Sequence, residues 1–282
     1  MSKNILRYVS SQNLFGTMNT GTMNLKNLTD SDKKMLLSKH QLSSLEGYEL
    51  TREDKSEIFK IHRKNFGDSV GFDWHKMFMA DQVHKDGSYF EITKDYVEAN
   101  PNGWSDIPED ILLVSDKVPG VVIGHPVADC PVVMMEDRKK GVVAIGHCSA
   151  ELIDKKLPMM IADALADAYG SKDEDISIWV SACAGSEWTY DCYPKWAQDK
   201  ELWKDAIVEE NGVFKIDIRK VLKKQFVERN IGNDKYSAFN LESTIKNPNY
   251  YSNSEARNNP DKLGRHFEGA FWQDEEEFRR KR

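Results

Sequence analysis

A basic surface, a long apolar run and a cysteine framework are all missing from this sequence. Its 39 Lys and Arg residues are outnumbered by 46 Asp and Glu, giving a formal charge of −7 and a pI near 5.6. That balance excludes the basic excess of a nucleic-acid-binding surface, so no nucleic-acid partner is expected. Basic residues are interspersed with acidic ones except at the short "RRKR", which follows the acidic "DEEE" and reads as solvated chain. No stretch approaches the roughly 20 consecutive apolar residues that a membrane helix requires, so no membrane partner is expected either. The opening "MSKNILRYVSSQN" has neither the apolar core nor the small-residue cleavage site of a secretion signal. Four cysteines in 282 residues are too few for a disulfide framework, and reduced thiols in a cytoplasmic protein are expected. No internal repeat, low-complexity linker or shift in composition marks a boundary. One domain is therefore expected, long enough to bury a substantial core.

What is present is an alternation of strand-like and helix-like segments. Residues 51–67 carry a helix signature, with Thr51 to cap, Asp54 to complete a capping box and Gly67 where the chain should leave. Residues 76–93 read as two short strands about a turn at Asp86-Gly87. Three Val- and Ile-dense runs follow, "DILLVSD", "GVVIGHPVADCPVVMME" and "GVVAIGHC". Their density and lack of helical period predict buried strands. Residues 158–170 predict an amphipathic helix, proline near its start and glycine at its end. Its Met160, Ile161, Ala164, Leu165 and Ala168 side should pack on those strands. "DISIWVSACAG" returns as a strand, and residues 217–232 predict a third helix with Asp217 as N-cap and Gly232 beyond its end. Residues 28–48 are polar and irregular, and carry no clear element. Helices alternating with strands, some in direct succession, point to an α+β class with mixed sheets flanked by helices.

Two of these runs place ligand-type residues at matching ends: Cys130 precedes one and His147 closes the next. Each alone has a bland reading, since free cysteine is commonly a buried small hydrophobe and a single strand-end histidine is commonly structural. Together they admit a metal held by thiolate and imidazole, or a cysteine nucleophile beside its base. His84, before a turn, supplies a third ligand type, and His125 competes by proximity to Cys130. Cys148 adjoins His147, so on a strand it faces the other way and belongs to the core. Cys183 and Cys192 read as unpaired thiols.

In this order the motifs resemble the polyphenol oxidoreductase or laccase-domain family, which includes bacterial purine nucleoside phosphorylases and peptidoglycan-editing factors. The family's Gln-Val-His-Gly, Ala-Asp-Cys-x-Pro and His-Ala-Gly-Trp-Arg-Gly segments stand here as Gln82-Val83-His84-Lys85, Ala128-Asp129-Cys130-Pro131 and His147-Cys148-Ser149-Ala150-Glu151. Asn24 matches an N-terminal Ser-Leu-Asn-Leu segment and Arg63 an Asn-Arg pair, while Arg257 and Arg265 fall in the C-terminal arginine segments. The resemblance spans residues 16–272 and leaves 273–282 as a polar tail. It implies a laccase-domain, cysteine-hydrolase-like fold and a metal site at His84, Cys130 and His147, zinc rather than the copper of the older family name. It also implies substrate contacts from Asn24, Arg63, Gln82, Arg257 and Arg265. Two imidazoles and a thiolate suit Zn²⁺ and leave a fourth position for water or substrate. Copper oxidation would demand more histidines than the remaining scattered ones supply.

The departures from the pattern bear on function. Glu151 stands where the family has an arginine, the family's Gly-Pro-x-Ile-Gly loop is "SACAGSEWTYD", and its Arg-Arg pair is reduced to Arg257. The resemblance implies a zinc-dependent purine nucleoside enzyme working by phosphorolysis or hydrolytic deamination, with Cys130, His147, Asp129 and Glu151 as catalytic candidates. Glutamate repels phosphate where arginine would clamp it, so phosphorolysis is the reaction placed in question. The same carboxylate could instead shuttle a proton in deamination. The first alternative is a metal-free Cys-His amidohydrolase acting on an amide or a cell-wall precursor. The second is a non-catalytic, metal-stabilised binding protein. Oligomeric state has no signature in the sequence.

Overall fold

The computed structural model describes residues 4–82, 85–103 and 107–280. Its strands are β1 (Asn4–Ser10), β2 (Met77–Met79), β3 (Tyr89–Glu91), β4 (Ile111–Ser115), β5 (Val122–Val127), β6 (Val132–Asp137), β7 (Val142–His147), β8 (Ile176–Val180), β9 (Trp188–Tyr190), β10 (Ile207–Glu210), β11 (Val213–Ile216), β12 (Ala238–Phe239) and β13 (His266–Asp274). Its α-helices are α1 (Asp30–Lys39), α2 (Arg52–Val70), α3 (Lys94–Ala99), α4 (Ala150–Asp154), α5 (Leu157–Tyr169), α6 (Lys200–Trp203), α7 (Ile218–Arg229) and α8 (Glu275–Arg280).

The longest valine-rich run is two strands in two different sheets. Pro131 has no N–H to give a ladder, and around it the chain passes from β5 to β6. β5 belongs to a four-stranded sheet of order β1-β13-β5-β2, and β6 to a six-stranded sheet of order β12-β8-β6-β7-β4-β3. The inner faces of these sheets share one apolar cluster, with Ile123, Val127, Ala270 and Trp272 meeting Leu112, Val114, Met134 and Ile145. The far side of the six-stranded sheet is covered by α4, α5 and α7 through Ile153, Ile161, Leu165, Val221 and Leu222. The far side of the four-stranded sheet is covered by α2 through Ile58, Phe59 and Phe66, against Val122, Phe267 and Phe271. The result is an α+β sandwich, helices outside and mixed sheets within. Strands buried on both faces explain why these runs are apolar without alternation.

Local signals set the elements. α5 ends on Gly170 in the left-handed region, and Ile161, Ala164 and Leu165 are buried with Met160 and Ala168 packed beside them. Asp217 caps α7 through the Arg219 amide, and the helix closes on left-handed Asn230 with Gly232 beyond its end, as expected. Thr51 and Asp54 form the expected capping box of α2, which runs through Gly67 and ends at left-handed Gly71. β2 and β3 do flank the turn at Gly87, yet they do not pair: β2 runs parallel to β5 and β3 parallel to β4. Three further features lie outside the sequence expectation. Residues 30–39 form α1, with its own Thr29-Asp32 capping box. β9, β10 and β11 form a separate three-stranded sheet. β1 and β13 pair from Asn4↔Asp274 to Ser10↔Glu268, so packed structure begins before residue 16 and continues beyond 272 through β13 into α8, in place of a polar tail.

Candidate active site

Antiparallel pairing of β6 with β7 sets Val132 opposite His147, and the Cys148 amide donates to the Pro131 carbonyl at 2.9 Å. Cys130 and His147 are thereby brought to the same end of the six-stranded sheet. Both are half-buried and both line one cavity of 160 Å³, with Asp129, Trp188, Tyr190, Asn253, Ser254, Arg257 and Arg265. Cys148 points the other way, into the helix-side core, as the strand period requires.

The walls are fixed by buried polar contacts. Asp129 accepts from Thr244 Oγ1 at 3.0 Å and from the Ser254 amide and hydroxyl at 2.7 and 2.8 Å. Both carboxylate oxygens are thus committed to holding the loop that carries Asn253, Ser254 and Arg257. Buried Lys262 gathers the same loop by donating to the carbonyls of Thr244, Asn247 and Tyr250. Arg265 is anchored by its amide to Thr17 Oγ1 at 2.9 Å. Thr17 is held in turn by His62, whose ring bridges the Thr17 carbonyl at 3.0 Å and Asp32 at 2.8 Å. Gly16, at φ +82°, lies so close to that imidazole that a Cβ would come within 2.2 Å of it.

Burial dominates the electrostatics. The Cys130 thiol is pushed up to about 12 by burial and then by Asp129, against the opposing pull of Arg265 and the Ala150 amide. His147 is pushed down to about 4 by burial, then by Arg265 and Lys85. The proton therefore stays on sulfur and the pair is neutral.

Among the described residues, no group of three or more His, Cys, Asp or Glu side chains is placed to hold a metal. His84, the third expected ligand, lies outside the described residues. Its near neighbours in the chain are described: Gln82 donates from Nε2 to the His147 carbonyl at 2.9 Å, and the Lys85 amide donates to Asp110 at 3.1 Å. A thiol and an imidazole facing one cavity are a donor set that fits zinc with one further ligand.

Residues 31–272 match the sequence profile of the family described as multi-copper polyphenol oxidoreductase laccase. This chain belongs to that family. Its fold is that of three solved structures. The hypothetical protein YfiH of Bacillus licheniformis is 19% identical, over 81% of this chain and 84% of that one, at a TM-score of 0.62. YlmD of Geobacillus stearothermophilus is 15% identical, over 82% and 84%, at 0.63. The Neisseria meningitidis protein NMB0706 is 13% identical, over 77% and 82%, at 0.60. No curated protein matches the sequence. At these identities the chain is a divergent member of the family.

The remaining expected site residues divide. Arg257 and Arg265 line the cavity. Asn24 and Arg63 do not line it. Asn24 caps a short 3-10 turn through the Lys26 amide. Arg63 is buried in α2, where it donates to the Trp74 and Met77 carbonyls at 2.8 and 3.0 Å. Burial lowers its guanidinium to about 10. Glu151 is exposed on α4, ion-paired to Lys155 at 2.9 Å, and does not line the cavity. Its carboxyl is held below the usual range by Lys155 and then Lys85. His125 packs its ring 6.1 Å from that of His147, on the inner side of the sandwich. Trp188 and Tyr190, on β9, are cavity walls that lie outside the sequence expectation. The signal was their spacing of two, which on a strand puts both on one face.

Proposed function

We propose that this chain is a zinc-dependent purine nucleoside enzyme and that phosphorolysis is its reaction. The observation behind this reading is the cavity in which Cys130 and His147 meet Arg257 and Arg265. His84, Cys130 and His147 would hold the ion. When bound, zinc supplies a Lewis acid and lowers the pKa of a coordinated water. The two guanidiniums offer planar donors to the oxygens of an inorganic phosphate, with the Ser254 side at the same wall. They supply the cationic support that Glu151 fails to supply at the family's arginine position. Glu151 faces solvent and Lys155, so it neither crowds phosphate in the cavity nor stands ready to carry a proton there. Asp129 acts by holding Ser254 and the loop in place, since both its oxygens are already engaged.

The test is protein purified without a histidine tag, analysed for zinc and assayed on adenosine and inosine with and without phosphate. Zinc near one per chain and base release that requires phosphate are expected. Arg265→Ala should lower that turnover by roughly 10- to 100-fold, the worth of a charge-assisted contact. Phosphate-independent ammonia release would move the reading to deamination. Metal-free protein that hydrolyses amides would replace it with the Cys-His alternative.

A further inference from the structure

The cavity beside Cys130 is too small to be the whole binding site. At 160 Å³ it falls below the roughly 300–1,000 Å³ of ordinary ligand pockets. A second cavity of 510 Å³ adjoins it, and the two share Trp188, Tyr190, Ser254 and Arg257 as their common wall. The strand period places Trp188 and Tyr190 on one face of β9, leaving Thr189 exposed on the other. The Trp188↔Ile216 and Tyr190↔Phe214 pairs with β11 fix that orientation. Behind the wall, Trp196 stacks on Trp188 with ring centroids 5.9 Å apart and planes 16° apart. Trp203, fully buried, braces Trp196 edge-on at 4.8 Å. Trp188 is therefore a half-buried indole that packs on Trp196 and lines both chambers at their junction.

We infer that Trp188 is the stacking platform for a planar ring of the ligand, a nucleobase or other aromatic heterocycle, whose remainder extends into the 510 Å³ chamber. This rests on the nucleoside reading for the identity of the ring, but not for the stack itself. A planar ring laid on the indole covers apolar surface that the fold leaves wet, and it keeps the geometry of the Trp188-Trp196 pair going by one layer. Base-on-aromatic stacking tolerates different bases, so the platform selects for a flat ring rather than for one purine.

Adenosine, inosine, free adenine and ribose are titrated into the full-length, metal-loaded protein, followed by calorimetry and tryptophan fluorescence. The three ring-bearing probes should bind and quench fluorescence, and ribose should do neither. Trp188→Ala should raise Kd for every ring-bearing probe by roughly 5- to 150-fold. Trp188→Phe, which keeps a ring and guards against a folding defect, should fall between the two. Adenosine should also protect Cys192, exposed in the outer chamber, from a bulky maleimide. Unchanged Kd in Trp188→Ala would overturn the inference, as would wild-type protein that binds none of the ring-bearing probes. Wild-type protein that binds free adenine through Trp188 yet turns over no nucleoside would end the catalytic reading and leave the platform standing.

Discussion

Glu268 carries a carboxyl into the seam between the two sheets, opposite His125 in the β13-β5 register and 3.5 Å from His266. Ser10 donates to it at 2.6 Å. Burial, against the help of that hydroxyl, raises its pKa from 4.5 to about 8. The folded state therefore keeps a proton that the unfolded chain releases near 4.5, so this group takes stability away as pH rises from 4.5 to 8 and adds no further loss above. Glu268→Gln should remove the effect. Its advantage over the wild type should grow across that window to roughly a few kcal/mol, read from urea midpoints at pH 4.5, 6.5 and 8.5. An offset independent of pH would show that the carboxyl is not the source. His125 and His266 act in the opposite direction: burial lowers each from 6.5 to about 3, so their contribution is lost as pH falls through that range. At this scale the sequence was a fair guide where a motif is local. Cys130 and His147 reached one cavity because each ends or begins a strand of its own. Asn24, Arg63 and Glu151 are expected site residues only by resemblance, and their side chains are engaged by nearby backbone or a neighbouring charge, which nothing in a sequence position reveals.

Helix α2 carries a clear local signal at its start and, with both Gly67 and Gly71, an ambiguous one toward its end. Its Thr51-Asp54 capping box was legible, and the equivalent Thr29-Asp32 box of α1 has the same form. α1 escaped notice because its polar sequence offers little apolar stripe behind the cap. Gly67 has the residue type of a helix end, yet it lies inside α2 for a packing reason. A Cβ there would come 2.9 Å from the Phe72 carbonyl oxygen and 3.0 Å from Trp74 Cβ. Gly67→Ala should therefore destabilise the protein by about 1–3 kcal/mol of overpacking, although alanine in an open helix would add up to about 1 kcal/mol. A thermal melt decides the sign, and a raised Tm would mean that the α2 return loop gives way at little cost. The break within residues 120–136 was likewise illegible. Strands buried on both faces carry no alternation to show which residues belong to which sheet, and only the partner strands decide it.

The whole molecule is held together by a strand from near each end of the described chain. β13 lies between β1 and β5 in the four-stranded sheet, and its Ala270 and Trp272 enter the inter-sheet core while Phe267 and Phe271 enter the α2 side. A chain ending at residue 265 would leave β1 and β5 with open, apolar edges. It should be recovered as aggregate, whereas a chain ending at residue 274, lacking only α8, should stay soluble. A monomeric 1–265 product with native circular dichroism would refute this. Its position has a consequence for synthesis. A ribosome adding about 5–20 residues per second needs roughly 10–50 s to travel from β1 to β13. Through that interval Leu6 and Tyr8 have left the exit tunnel without the partner strand against which they pack. β1 is made long before the β13 partner it pairs with, so chaperone capture of nascent chains should concentrate on the β1 segment.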